Sequence, residues 1–341
     1  MSEQVLVTGA YGFIASHCIL QLLEGGWQVR GTLRNLKSQG PAVRQMFTKA
    51  GAAVDRLELV QADLMVDAGW DEAAAGCSYA LHVASPVTNP PRSQAELLIR
   101  PAVDGTLRLM KAAAAAGVRR VVLTSSLAAV AEGQDDIRRE FNEQDWTNLD
   151  HSPRPYAVSK TLAERAAWDF VASLGPETPL TLAAINPANV FGPLLDPRHT
   201  SSTELIIRMM RRVYPGCARL CFVAVDVRDV AAAHLLAMTV PAAAGQRFCC
   251  VSSNPWMVDI ARILNAHYAG RGYHVPERIM PDWLVRLVTL FDPEARVLYK
   301  TLGVKLQISN RKILDLLGWQ PRSLESSIID TAESLIQFKL V

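Results

Sequence analysis

The sequence predicts an α/β protein built on a doubly wound parallel sheet, with a smaller, interleaved C-terminal lobe. Short β-rich apolar runs alternate with helical patterns through the first half of the 341 residues, which is the signature of βαβ units and a parallel sheet covered on both faces. The first of these runs passes into the first helix through glycines at three-residue spacing, and half of the chain is hydrophobic, enough for one large globular unit or two lobes sharing a core.

QVLVT is the first strand, and GAYGFIASH (residues 9–17) follows it directly. Gly9 lets the chain leave the strand, Gly12 carries no side chain to hold a phosphate away, and Ala15 allows the new helix to pack closely on the sheet. The helix N-terminus, with unpaired N–H groups and a partial positive charge, then faces an anion, and a pyrophosphate suits it. Tight strand-to-helix turns also use glycine for geometry alone. Here the turn sits between a strand and an amphipathic helix, with a second strand at the usual distance, and that context points to dinucleotide binding through Gly9, Tyr11, Gly12, Phe13 and Ile14.

WQVRGTL is the second strand, and its end bears on which dinucleotide binds. An NAD-preferring site usually places a carboxylate there for the ribose 2′-hydroxyl, whereas this chain reads RGTLRN, with Arg34 at the tip and Lys37 close by. A guanidinium presents a planar fork of donors suited to a phosphate, so NADP(H) is expected over NAD(H); the alternative is a surface arginine tolerated at the sheet edge. A polar stretch follows, in which RQMFTK reads as a solvated helix face.

LELVQ and YALHVAS are the next strands, a long helix spans about 94–116, and RVVLTSS is the fifth strand. Open parallel sheets present side chains to ligands at this end of their strands. Ser126 in LTSSLAA is accordingly the candidate donor to a substrate oxygen, with Ser125 nearer the cofactor; either hydroxyl could instead satisfy strand-end backbone. YAVSK (156–160) opens the next helix and sets Tyr156 and Lys160 four apart on one face. A lysine there is expected to stabilise the phenolate and, together with the positive charge of an oxidised nicotinamide, to lower a pKa that is about 10 in the free side chain, making Tyr156 a proton donor or acceptor. The same spacing arises by chance in many helices, so the motif carries weight only in company.

LTLAAIN and RFCCVSS read as further buried strands. Beyond about residue 190, joints rich in Pro, Arg and Ser separate shorter elements. Residues 1–190 are expected to form the dinucleotide-binding domain, with strands at about 222–226 and 246–252 returning to it, and 191–341 mainly a substrate-binding lobe. Phe191, Leu194, Leu195, Met209 and the helix at Trp283 are candidates for an apolar pocket wall or for core.

Several function classes are disfavoured. The formal charge of +2 is spread without a basic block, so no nucleic-acid partner is expected. Six cysteines stand at no metal-ligand spacing, and no His, Cys, Asp or Glu cluster has one, so no metal is expected and the thiols read as reduced. There is no leader pattern and no apolar run near the roughly 18 residues that span a bilayer, so a cytoplasmic location and no membrane partner are expected. WLVRLVTLF (283–291) reads as a lid or core helix, and His17, His82 and His234 as structural histidines.

Taken together, the chain resembles the extended short-chain dehydrogenase/reductase superfamily (the NAD-dependent epimerase/dehydratase type), and more narrowly its dihydroflavonol reductase-like branch of ketone and aldehyde reductases. The likeness runs nearly the whole length, through VTGAYGFIASH, VRGTLRN, LVQADL, LHVASPV, PAVDGTLRLMKAA, RVVLTSS, YAVSKTLAERAAWDF, INPANVFGP, VDVRDVAAAH and LGWQPRSLESSIIDTAESLI. It implies a Rossmann fold and NADPH-dependent reduction of a ketone or aldehyde to an alcohol, with Ser126, Tyr156 and Lys160 catalytic. It further implies that Asp63 and Leu64 lie at the adenine end and that Ala84, Ser85 and Thr124 line the cofactor. Pro187 and Val190 would hold the carboxamide through backbone groups, and Ser201 and Ser202 would touch a phosphate.

The chain also departs from the superfamily's patterns. Ala102 in AVDGT replaces the asparagine that many extended members give to a proton relay, and Leu127, Ala128 and Ala129 stand where nucleotide-sugar dehydratases place acidic residues. HSPRPYAVSK lacks the aromatic and cysteine-rich sequence of cinnamoyl-CoA reductases, so a thioester is less expected than a free carbonyl substrate. Two rival functions stay open: a nucleotide-sugar epimerase with tightly bound NAD, and a non-catalytic NADP-sensing module. A homodimer is suggested by fold-level analogy alone.

Overall fold

Seven parallel strands make the central sheet of the computed structural model, which describes residues 3–86, 92–151, 153–289 and 301–341. They are β1 (Gln4–Val7), β2 (Gln28–Leu33), β3 (Leu57–Gln61), β4 (Tyr79–His82), β5 (Arg120–Thr124), β7 (Thr181–Pro187) and β10 (Gln246–Cys250), in the spatial order β10-β7-β5-β4-β1-β2-β3. The order reverses at β1, whose neighbours are β2 and β4, and this opens a crevice at the C-terminal strand ends where ligands of such sheets bind.

Alternation along each strand explains how the sheet is covered. Val5 and Val7 of β1, Val122 of β5 and Ile185 of β7 face one core with α1 (Phe13–Glu24), α2 (Leu36–Lys49) and α7 (Val227–Thr239). Leu6, Val121, Leu123 and Leu182 face the other, against α3 (Trp70–Ala74), α4 (Glu96–Ala115) and α5 (Pro155–Ala172). Each fully buried aliphatic side chain on either face contributes about 1.5–3 kcal/mol. The polar stretch after β2 is α2 itself, its first turn capped by the Asn35 side chain, which accepts from the Ser38 N–H.

The later strands divide. β10 pairs with β7 and extends the sheet, whereas the segment expected at 222–226 forms β9 (Ala224–Asp226) and pairs with β8 (Asn189–Phe191) in a separate two-stranded sheet. The cause is local: Ala188 still bonds Cys250 of β10, but Asn189 turns its N–H to Val223, so the chain leaves the sheet one residue after β7. β6 (Glu140–Phe141) and β11 (Gln307–Ile308) form another pair.

A further core gathers α6 (Ser201–Met210), α8 (Met257–Tyr268) and the C-terminal helix α11 (Leu324–Gln337), which follows α9 (Asp282–Thr289) and α10 (Arg311–Leu317). Phe191, Leu194 and Met209 are buried in it, and Leu195 packs against the core that holds α1, so these four side chains serve packing. α9 is no core helix over its described residues, because Trp283 and Leu287 are 65% and 51% exposed; residues 290 and 291 of that motif lie outside the described residues. Among the described residues, no helix is long and apolar enough to cross a membrane.

Candidate active site

The glycine turn is pinned between two strands. Gly9 donates its N–H to Thr32 Oγ1 at 3.0 Å, Ala10 donates to the Thr32 carbonyl, and Thr8 to the Leu81 carbonyl. Gly9 has φ +70, and a Cβ there would lie 3.1 Å from the Ala84 Cβ. Gly9→Ala is therefore expected to cost about 1–2 kcal/mol of unfolding free energy, measured by denaturant titration. Gly12 is the exposed N-cap of α1 and brings no side-chain cap, so the free N–H groups of the first turn, beginning at Phe13 and Ile14, present their partial positive charge.

Arg34 directly follows β2, with its side chain 77% exposed and its Nε 3.8 Å from Asp63 Oδ2 beyond β3. An exposed pair of this kind contributes little to stability, which leaves the guanidinium available. Lys37 is exposed in the first turn of α2. Asp63 also accepts the Met65 N–H, and Leu64 packs partly buried against the core on the α4 side.

Beside β4, Val83 and Ala84 both donate to Thr8 Oγ1, at 3.0 and 2.9 Å. That hydroxyl must then give its own proton to His82 Nδ1, so His82 is the Nε2–H tautomer and donates to Thr106. Burial, helped by the charge of Lys160, pushes the His82 pKa down to about 3. His17 donates to the Pro193 carbonyl, and His234 donates from Nδ1 to the Val230 carbonyl. All three imidazoles are thus committed to structure.

Ser126, Tyr156 and Lys160 converge at the end of β5. Ser126 Oγ accepts the Ala128 N–H at 3.1 Å and neighbours the Tyr156 hydroxyl, acting to lower its pKa. Lys160 is buried one turn along α5 and donates to the Thr124 carbonyl at 2.9 Å. Desolvation lowers the Lys160 pKa to about 8, opposed by the charge of Glu164. Burial pushes the Tyr156 pKa above its ordinary value, with the neighbouring Ser126 hydroxyl and the Arg154 charge pulling the other way.

Ala84, Ser85, Thr106, Thr124, Ser125, Lys160 and Glu164 line one small pocket between β4, β5 and α5. Thr124 donates its hydroxyl away to His234 Nε2 at 2.6 Å, so its carbonyl is what faces Lys160. Pro187 ends β7, and Val190 lies in β8 opposite Val225. Ser201 and Ser202 open α6, and the Arg198 guanidinium over the Tyr11 ring ties the preceding segment to the glycine turn. Ser125, unlike Ser126, is turned inward and donates to Glu164 at 2.5 Å.

Three buried residues of this region escaped the sequence reading: Glu164, Asn186 and Arg247. A carboxylate four residues after Lys160 and an arginine inside the apolar run RFCC were the available signals.

Against known families, residues 5–249 match the NAD dependent epimerase/dehydratase family. The chain belongs to that family. It is 34% identical over 347 residues to cinnamoyl-CoA reductase CAD2 of Medicago truncatula, covering 99% of this chain and 97% of the relative. It is 38% identical over 277 residues to tetraketide alpha-pyrone reductase 2 of Arabidopsis thaliana, covering 78% and 83%. Among solved structures, yeast methylglyoxal/isovaleraldehyde reductase Gre2 complexed with NADPH superposes with a TM-score of 0.81 at 29% identity, over 98% of this chain and 99% of that one. These family members are reductases, as the sequence blocks of the chain led one to expect.

Proposed function

We propose that this protein is an NADPH-dependent carbonyl reductase that converts a ketone or aldehyde to an alcohol. The observation that carries the reading is the meeting of Ser126, Tyr156 and Lys160 at the end of β5, on the crevice side of the glycine turn. The likeness to reductases, one of them solved with NADPH, supports it.

The chain's own groups fit the dinucleotide. An exposed, uncapped α1 N-terminus with a glycine N-cap suits the pyrophosphate at Gly9, Tyr11, Gly12, Phe13 and Ile14, and the exposed Arg34 and Lys37 suit a 2′-phosphate. Asp63 and Leu64 would meet the adenine, and Ala84, Ser85, Thr124 and Lys160 the ribose side. Pro187 and Val190 would hold the carboxamide, and Ser201 and Ser202 a phosphate. When bound, the reduced dinucleotide supplies the hydride.

Tyr156 gives its hydroxyl proton to the substrate oxygen as the carbonyl carbon takes that hydride. A phenol held above its ordinary pKa is fully protonated at neutral pH, as this role requires. Ser126 Oγ, already accepting from Ala128, directs its own proton outward to the same oxygen. Lys160 supplies the positive charge that stabilises the phenolate left behind.

Free ketones and aldehydes are proposed ahead of thioesters, on the make-up of HSPRPYAVSK. Cinnamoyl-CoA reductases among the relatives make a hydroxycinnamoyl thioester the necessary comparison substrate. Arg34→Ala is expected to raise the NADPH dissociation constant about 10-fold or more while leaving that for NADH within about twofold, read by nicotinamide fluorescence. An equal loss for both would remove Arg34 from the 2′-phosphate site.

A further inference from the structure

Behind the Ser126–Tyr156–Lys160 site lies a fully buried carboxylate with an unusual number of donors. Glu164, on α5 one turn after Lys160, accepts from Ser125 Oγ at 2.5 Å, Asn186 Nδ2 at 2.9 Å, Arg247 Nε at 2.6 Å and Nη2 at 3.3 Å, and Trp168 Nε1 at 3.3 Å. These donors come from the end of β5, from β7, from β10 and from α5 itself. Asn186 bridges onward: the same Nδ2 donates to the Ser126 carbonyl at 3.2 Å, while its buried Oδ1 has no partner among the described residues.

We infer that Glu164 is a positioning residue for the reaction, acting on Ser126 through Asn186 and on Lys160 through its charge. This rests on the proposed carbonyl reduction.

The geometry separates this role from plain packing. A carboxylate buried for stability alone is matched or bettered by apolar residues of similar volume, since desolvation of the ions offsets their attraction. Here the charge stands beside the one buried ammonium the chemistry needs, and the amide it orients is bonded to the backbone of Ser126, which hydrogen-bonds the substrate oxygen. Asn186 leaves a buried acceptor unpaired, which is costly, in an orientation that serves Ser126 and Glu164 together.

The charged and titratable groups around the pair are few. Lys160 faces Glu164 on α5 and the neutral His82 from β4. Glu164 faces Arg247 and the Cys249 thiol from β10, and Arg247 in turn donates to the carbonyls of Glu143 and Asp145, whose carboxylates also act on Cys249. Removing the Glu164 charge takes away the anion that raises the Lys160 pKa against its burial, so the Lys160 proton is held more weakly.

The test uses the whole enzyme with NADPH and an accepted carbonyl substrate, following kcat against pH beside the NADPH dissociation constant and the melting temperature. Glu164→Gln is expected to move the alkaline limb of kcat, set by Lys160 losing its proton, about one pH unit lower, with NADPH affinity within about threefold. Asn186→Ala leaves the Glu164–Arg247 pair in place and is expected to lower kcat about 10-fold to 100-fold without moving the limb. A Glu164→Gln enzyme that is folded yet keeps the wild-type limb overturns the charge role. An Asn186→Ala enzyme with undiminished kcat overturns the positioning role, even if Glu164→Gln fails to fold. A wild-type enzyme that reduces no carbonyl would count instead against the function proposed above.

Discussion

Tyr156→Phe is expected to lower kcat by about two to four orders of magnitude while leaving the NADPH dissociation constant within about twofold. The substitution removes one oxygen from a half-buried side chain whose hydroxyl neighbours Ser126. The ring stays, so the pocket keeps its shape; the proton donor goes, so a carbonyl oxygen gaining negative charge has only Ser126 to answer it. Steady-state turnover beside a fluorescence titration separates the two quantities. Retained turnover would assign the proton to another group.

Arg247→Met is expected to destabilise the protein by about 3–5 kcal/mol, because it strands a buried carboxylate. Arg247 is 8% exposed and closes the β10 side of Glu164, and its Nη1 also satisfies the Glu143 and Asp145 carbonyls at 2.8 Å each. Its guanidinium stacks on Trp146 as well, so the arginine joins β10 to the loop that precedes α5. Methionine keeps much of the volume and none of the donors. Thermal unfolding is expected to show a melting temperature lower by about 5 °C. A variant as stable as the parent would mean that Ser125, Asn186 and Trp168 satisfy Glu164 unaided.

What could be read in the sequence was whatever local chemistry dictates. The strands β1 to β5 announce themselves because both faces are buried, giving short apolar runs, and the Gly9–Gly12 turn because a positive φ and an uncapped helix start leave little choice of residue. Tyr156 and Lys160 share a face because a helix has a fixed pitch. What could not be read depends on long-range pairing. β8 and β9 pair with each other, away from the central sheet, since a hydrogen bond from Asn189 to Val223 joins segments far apart in the chain. Thr124 turns its hydroxyl toward His234 because α7 packs beneath β5, which the motif LTSS does not encode. The raised phenol pKa of Tyr156 follows from burial by neighbours contributed by several elements. Glu164, Asn186 and Arg247 each look unremarkable alone, and only the sheet brings them together.

The measurement that tests the central claim most directly is NADPH consumption with product analysis over a panel of aryl ketones, α-keto esters, aldehydes, a dihydroflavonol and a hydroxycinnamoyl thioester. Carbonyl reduction predicts that at least one free ketone or aldehyde yields its alcohol, one NADPH consumed per product. Silence across the panel from an enzyme that still binds NADPH, or an enzyme purified with stoichiometric NAD, would contradict it.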